Sequence, residues 1–118
     1  MEKEYLNLLE LQSLVREGLE EMFPERIWLR SEVASISAKL GGHCYLELSQ
    51  TEDERVVAKS RAVIWASKWR VIKPFFESVT GESLRPGMEI LVQVQVSYSE
   101  LYGFSLSIVD INPEFSLG

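Results

Sequence analysis

One cysteine, Cys44, and one histidine, His43, are all that this sequence of 118 residues holds of either type. A lone cysteine excludes an intrachain disulfide and is compatible with a reducing compartment. One cysteine and one histidine also fall short of the three or four matched ligands of a zinc site. The two residues are adjacent, and neighbours on a strand point to opposite faces, so a Cys–His dyad is not expected from them. Cys44 reads as a small core residue, and His43 as a turn or ligand-contact residue. Runs of about 20 apolar residues are lacking, which excludes a membrane-spanning helix. The acidic start Met1-Glu2-Lys3-Glu4 does not read as a secretory signal, so a cytoplasmic protein is expected. Neither G-x-x-x-x-G-K-[ST] nor G-x-G-x-x-G occurs. Glu52-Asp53-Glu54 reads as a solvated loop tip, not a cation site. The expectation is a chain without catalytic residues, metal or cofactor.

What is present is an ordinary apolar fraction, 46%, in a length that fits one domain. The formal net charge of -6 argues against nucleic acid when taken alone. Its distribution argues otherwise. Residues 1–25 carry a balance of -5, residues 26–73 of +4, and residues 74–118 of -5. A basic middle between acidic ends can steer an anionic ligand, although surface ion pairing accounts for such a pattern equally well.

Leu8, Leu11, Val15, Leu19 and Met22 recur at helical spacing, and Phe23-Pro24 ends that helix. Its apolar face has to dock on something, and residues 1–25 are expected to pack on the barrel formed by residues 26–118. Arg26 to Ser37 reads as a long strand whose alternation changes phase near Ser31 or Ala34, as at a bulge. Leu40-Gly41-Gly42-His43 is a turn. Cys44, Leu46 and Leu48 then face the core, opposite Tyr45 and Glu47. Gln50 to Arg55 reads as a polar loop. Val56 to Trp65 is a third strand, with Val56, Ala58, Ala62 and Ile64 inward and Val57, Lys59, Arg61, Val63 and Trp65 outward. Ser67 suits a helix N-cap. Trp69, Ile72, Phe76 and Val79 follow at helical spacing, although Pro74 should bend or interrupt the helix. Met88 through Tyr98 alternates most clearly. Tyr102-Gly103 lies in a short turn, and Phe104, Leu106 and Ile108 begin a fifth strand that Pro113 stops. Helix, three strands, helix, two strands is the connectivity of a five-stranded OB barrel, a mainly β fold. An SH3-like barrel is the other small five-stranded candidate, but it normally lacks a helix before its fourth strand.

OB barrels bind oligonucleotides or oligosaccharides on the face of strands 2 and 3, flanked by the strand 1–2 and 4–5 loops. A single strand needs a basic track for phosphates and aromatic plates for bases. His43 and Tyr45 on strand 2 and Lys59, Arg61 and Trp65 on strand 3 form such a face. Arg30, Lys39 and Tyr102 stand at its margins. Trp65 suits a helix-packing role equally, Lys59 and Arg61 suit a plain solvated face, and Tyr98 falls in phase with the core. Trp28 and Trp69 read as packing residues.

Together these stretches resemble the N-terminal region of the exodeoxyribonuclease VII large subunit. The family's V-W-V-x-G-E-I-S is matched by Ile27-Trp28-Leu29-Arg30-Ser31-Glu32-Val33-Ala34-Ser35, and its S-G-H-x-Y-F-x-L-K-D by Gly41 through Gln50. Val63-Ile64-Trp65 matches the aromatic end of its third strand. Gly87, Val92, Val94, Val96 and Tyr98 follow its fourth strand. Tyr102-Gly103-Phe104-Ser105-Leu106 echoes R-G-x-Y-Q-L, and Pro113 the closing proline. Ser31, Ser49 and Tyr102 replace a family glycine, lysine and arginine. The resemblance covers the chain from about Leu8 onward. It implies an OB domain that holds single-stranded DNA, within a longer parent that cuts such DNA to oligonucleotides. The nuclease centre, and the helices that bind the small subunit, would lie beyond Gly118. Binding by this domain is then expected to be weak and to fall with salt. A protein-interaction barrel, docking through its amphipathic helix and acidic ends, is the competing expectation.

Overall fold

A computed structural model describes residues 4–117. Helix α1 (Leu8–Met22) leads into strands β1 (Ile27–Ala38), β2 (Cys44–Glu52) and β3 (Arg55–Ile64). Helix α2 (Ala66–Thr80) precedes β4 (Glu89–Ser99) and β5 (Gly103–Ile111), and a 3-10 turn spans Pro113–Leu117. The strands close in the order β1-β2-β3-β5-β4. This is a five-stranded OB-type barrel, with one helix at its N-terminal side and one between β3 and β4. Among the described residues no helix is long and apolar enough to cross a membrane.

Closure depends on β1 serving two partners. Its first half pairs with β4 and its second half with β2, and the register with β2 slips between Val33 and Ser35. The extra residue is Ala34, as the change of phase predicts. At that bend fully buried Val33 exchanges backbone hydrogen bonds with Gly87 and Met88. The core fills from β2 (Cys44, Leu46, Leu48), β4 (Ile90, Val92, Val94) and β5 (Leu106, Ile108, Ile111). Each fully buried aliphatic side chain contributes about 1.5–3 kcal/mol. Burial pushes the Cys44 thiol up to about 11, so it stays protonated at neutral pH and behaves as a core residue.

Below the barrel α2 buries Trp69, Ile72 and Phe76. It starts two residues earlier than a Ser67 cap implies. Trp65 occupies the cap position with no side-chain cap of its own. The helix continues through Pro74 and ends where Gly81 turns left-handed at φ 73°.

Three expectations for β3 and its surroundings need correction. Gln50 to Arg55 is not an open loop: β2 and β3 run on to a two-residue turn at Asp53-Glu54. The register slips again between Gln50 and Thr51, so Val57 is the extra residue. This bulge puts Val56 out of phase with Ala62. The hairpin here also projects past the barrel wall, because β3 pairs with β5 only at Ala62 and Val63. Val56 and Ala58 are therefore exposed, and Val63 is buried instead. Phe104, at the start of β5, is likewise exposed above the rim, and Trp28 is half-exposed on the outer wall. Asp53 and Glu54 both carry positive φ, 49° and 63°, which costs a side-chain residue about 1–2 kcal/mol. Glu54→Gly is expected to raise stability by about 0.5–1 kcal/mol, after allowance for glycine's greater unfolded-state entropy. A rise in the urea midpoint checks this.

Helix α1 opens with a capping box between Asn7 and Glu10. It meets β4 and its turn through polar groups. Tyr98 donates to Gln12 Oε1 at 2.6 Å, and Arg16 and Ser13 donate to Glu100 Oε2 at 2.9 and 3.0 Å. Most of the apolar stripe is not turned to the barrel: Leu8, Leu11, Val15 and Met22 are exposed, Leu19 is half-buried, and no residue of α1 is fully buried. Hydrogen bonds from Arg16, from its own backbone N–H and from Ser13 hold the Glu100 carboxyl below its ordinary value of 4.5. A lowered carboxyl stabilises the contact above that ordinary value, and the contribution fades as pH falls below it. The Tyr98 ring resonances are expected to move as pH drops through this window. In Glu100→Gln they should already be displaced at neutral pH, with the barrel's melting unchanged.

Candidate nucleic-acid interface

On the outer wall, cross-strand pairing sets side chains shoulder to shoulder. Tyr45 lies opposite Val63, and Glu47 opposite Arg61. Tyr45, Arg61, Trp65 and Tyr102 line one cleft of about 340 Å³. Its far side is a shelf of Ser97, Ser99 and Ser105 from β4 and β5. The aromatic rings are about half-exposed or more, with Tyr45 at 55% and Trp65 at 47%.

The plates are held rather than loose. Trp65 Nε1 donates to Ser107 Oγ at 3.3 Å. His43 packs edge-on against Trp65, with ring centroids 4.9 Å apart, and against Tyr45 at 6.2 Å. The His43 ring is fixed in turn, because its Nδ1 accepts the Ala66 backbone N–H at 2.9 Å. That N–H is one of the donors a helix start leaves without an intrahelical partner. His43 therefore caps α2 from the end of the β1–β2 turn and faces the plates at the same time.

Positive charge at the cleft is partly spent. Arg61 donates to the carbonyl oxygens of Tyr102 and Phe104, so its guanidinium fastens the β4–β5 turn and sets Tyr102 over the cleft. Lys59 pairs with Glu47 at 3.2 Å. Lys59 and Arg61 line a shallow hollow with Phe104. Lys59 also borders the next groove, which it shares with Arg30 and Ser31. Arg30 stands 3.9 Å from Glu89 there. Shared residues thus join three depressions into one track, from Trp65 and Tyr45 past Arg61 and Lys59 to Arg30. Lys39 is not on it. It lines a separate cleft with Arg70 and Lys73 on α2.

The sequence reading passed over the serine shelf and Phe104. The serines alternate with the core residues of β4 and β5, and that phase was the available signal. Phe104 shares the core phase, so nothing local reveals its exposure. Among the described residues no group of three or more His, Cys, Asp and Glu side chains is placed to hold a metal ion.

Residues 6–112 match the family described as OB-fold nucleic acid binding domain. Over 122 aligned residues the chain is 32% identical to the exodeoxyribonuclease 7 large subunit of Deinococcus radiodurans, covering 98% of this chain and 29% of that relative. The chain thus spans under a third of the length of the relative it matches.

Proposed function

Since this chain belongs to the OB-fold nucleic acid binding domain family, we propose that it is the single-stranded DNA-holding domain of an exodeoxyribonuclease VII large subunit. The observation that carries the reading is the pinned aromatic group His43, Tyr45 and Trp65 beside a cleft that leads along Arg61 and Lys59. Bases stack on the rings, and the backbone follows the cations. Every base has a π-face, so such a surface tolerates any sequence. In this reading the domain grips the strand while a catalytic region outside residues 1–118 hydrolyses the phosphodiester bond. Small-subunit binding by that outside region, a role in DNA repair and a cytoplasmic setting belong to the same proposal.

The number of cations free to meet phosphate is small, which fits a net charge of -6. Binding is therefore weak and strengthens at low salt. Fluorescence anisotropy with labelled oligo-dT at low ionic strength tests this. Saturable binding that weakens with added salt supports the proposal, and its absence sinks it. A second reading, a protein-interaction barrel, draws on the exposed apolar stripe of α1. Salt-insensitive self-association lost on Leu11→Gln, without DNA binding, would favour it.

A further inference from the structure

Unpaired positive charge is not where the aromatic plates are. Lys59 and Arg30 each have a carboxylate neighbour, and Arg61 is committed to backbone carbonyls. Arg16, Lys73 and Arg85 also stand in ion pairs. Among the described residues this leaves Arg26, Lys39, Arg55, Lys68 and Arg70 without a carboxylate in ion-pair range. Three of these five belong to the β1–β2 turn and the first turns of α2. Two of them, Lys39 and Arg70, line one cleft of about 350 Å³ together with Lys73. The same cleft is bordered by Trp69 and Pro74, so cations stand beside an apolar surface. That arrangement suits a sugar–phosphate unit better than a base edge: the sugar lies on apolar surface and the phosphate meets the ammonium and guanidinium groups.

This cleft adjoins the aromatic one through His43. Gly41 and Gly42 line the basic cleft, and the next residue is His43, whose ring touches Trp65. Across from it, Trp65 and Ala66 begin the helix that carries Trp69, Arg70 and Lys73. A strand lying on Tyr45 and Trp65 and continuing past His43 meets Lys39 and Arg70 next.

We propose that the cleft of Lys39, Arg70 and Lys73 is a second, phosphate-binding subsite. In it the backbone of a single strand continues beyond the aromatic plates. The inference rests on the DNA-binding reading and adds a length requirement to it: short oligonucleotides occupy the plates alone, and longer ones reach both sites. It also assigns most of the salt dependence to residues away from the stacking surface.

The test compares oligo-dT of about five and about fifteen nucleotides, site sizes within the range of one OB barrel. The unaltered chain and a Lys39→Ser, Arg70→Ser double variant are titrated with each. Both side chains are exposed and unpaired, so folding is not at stake. The expected result is a preference for the longer strand that the double variant abolishes, with short-strand affinity unchanged. The salt slope for the longer strand should shrink by about 1.4, which corresponds to two phosphates. Arg55→Ser, which removes an unpaired cation at the hairpin turn, should leave that slope as it is. An unchanged slope and length preference in the double variant, with short-strand binding intact, overturns the subsite and leaves the DNA-binding reading standing. An equal fall of the slope in Arg55→Ser also overturns it, because the effect is then one of overall charge. No binding of either strand by the unaltered chain overturns both.

Discussion

Replacing Tyr45 by alanine is expected to weaken oligo-dT binding by about 5- to 150-fold, the equivalent of roughly 1–3 kcal/mol for one lost base platform. Trp65→Ala should cost a similar amount. Both rings stand about half in solvent, so neither loss is a folding defect, and thermal melting should stay within a few degrees. The double variant should lose less than the sum of the two, because both rings lean on His43 and each helps to orient it. Phenylalanine at position 45 keeps the π-face and should retain most of the affinity. Anisotropy titrations against dT and dA strands measure all of this. Losses below twofold in both single variants would remove the plates from the mechanism, and losses confined to one base would contradict a sequence-tolerant surface.

Phe76→Ala is expected to lower folding stability by about 3–5 kcal/mol. Phe76 is fully buried, and with Trp69 and Ile72 it seats α2 against the barrel core. Truncation removes the apolar contact and leaves a cavity that the barrel cannot collapse to fill. Domains of this size are commonly stable by about 5–15 kcal/mol, so the change takes a large share of the total. The adjacent Phe75 is an internal control. It is 45% exposed, and Phe75→Ala should stay within about 0.5 kcal/mol. Urea unfolding of the two variants side by side decides the matter, and equal losses would mean that the helix is not seated through Phe76.

What could be read before the structure was whatever is written locally. The alternation from Met88 to Tyr98, the Cys44–Leu46–Leu48 face and the Trp69–Ile72–Phe76 stripe each carry their own period, and each lies where that period puts it. The bulge at Ala34 was legible for the same reason: a slip in phase is visible in the strand that contains it. The exposed arm was not, because how far β3 continues beyond its contact with β5 is decided by pairing between residues more than forty positions apart. The apolar stripe of α1 predicted an apolar seat. The seat is instead made of Gln12, Ser13 and Arg16, because their partners Tyr98 and Glu100 happen to lie across from them. The candidate site divides similarly. Residue types and strand phase gathered Tyr45, Arg61 and Trp65, but the expenditure of Arg61 on two carbonyls and of Lys59 on Glu47 follows from three-dimensional neighbours alone.

His43 ties the wall of the barrel to the helix beneath it, since one imidazole both leans on the plates and receives the Ala66 amide. The helix start and the ligand surface are therefore linked thermodynamically. A strand that steadies the ring also steadies the first turn of α2, and by reciprocity anything that frays that turn lowers affinity by the same factor. On the proposed DNA-binding reading the Ala66 amide is therefore expected to report occupancy: its hydrogen exchange should slow when oligo-dT is added.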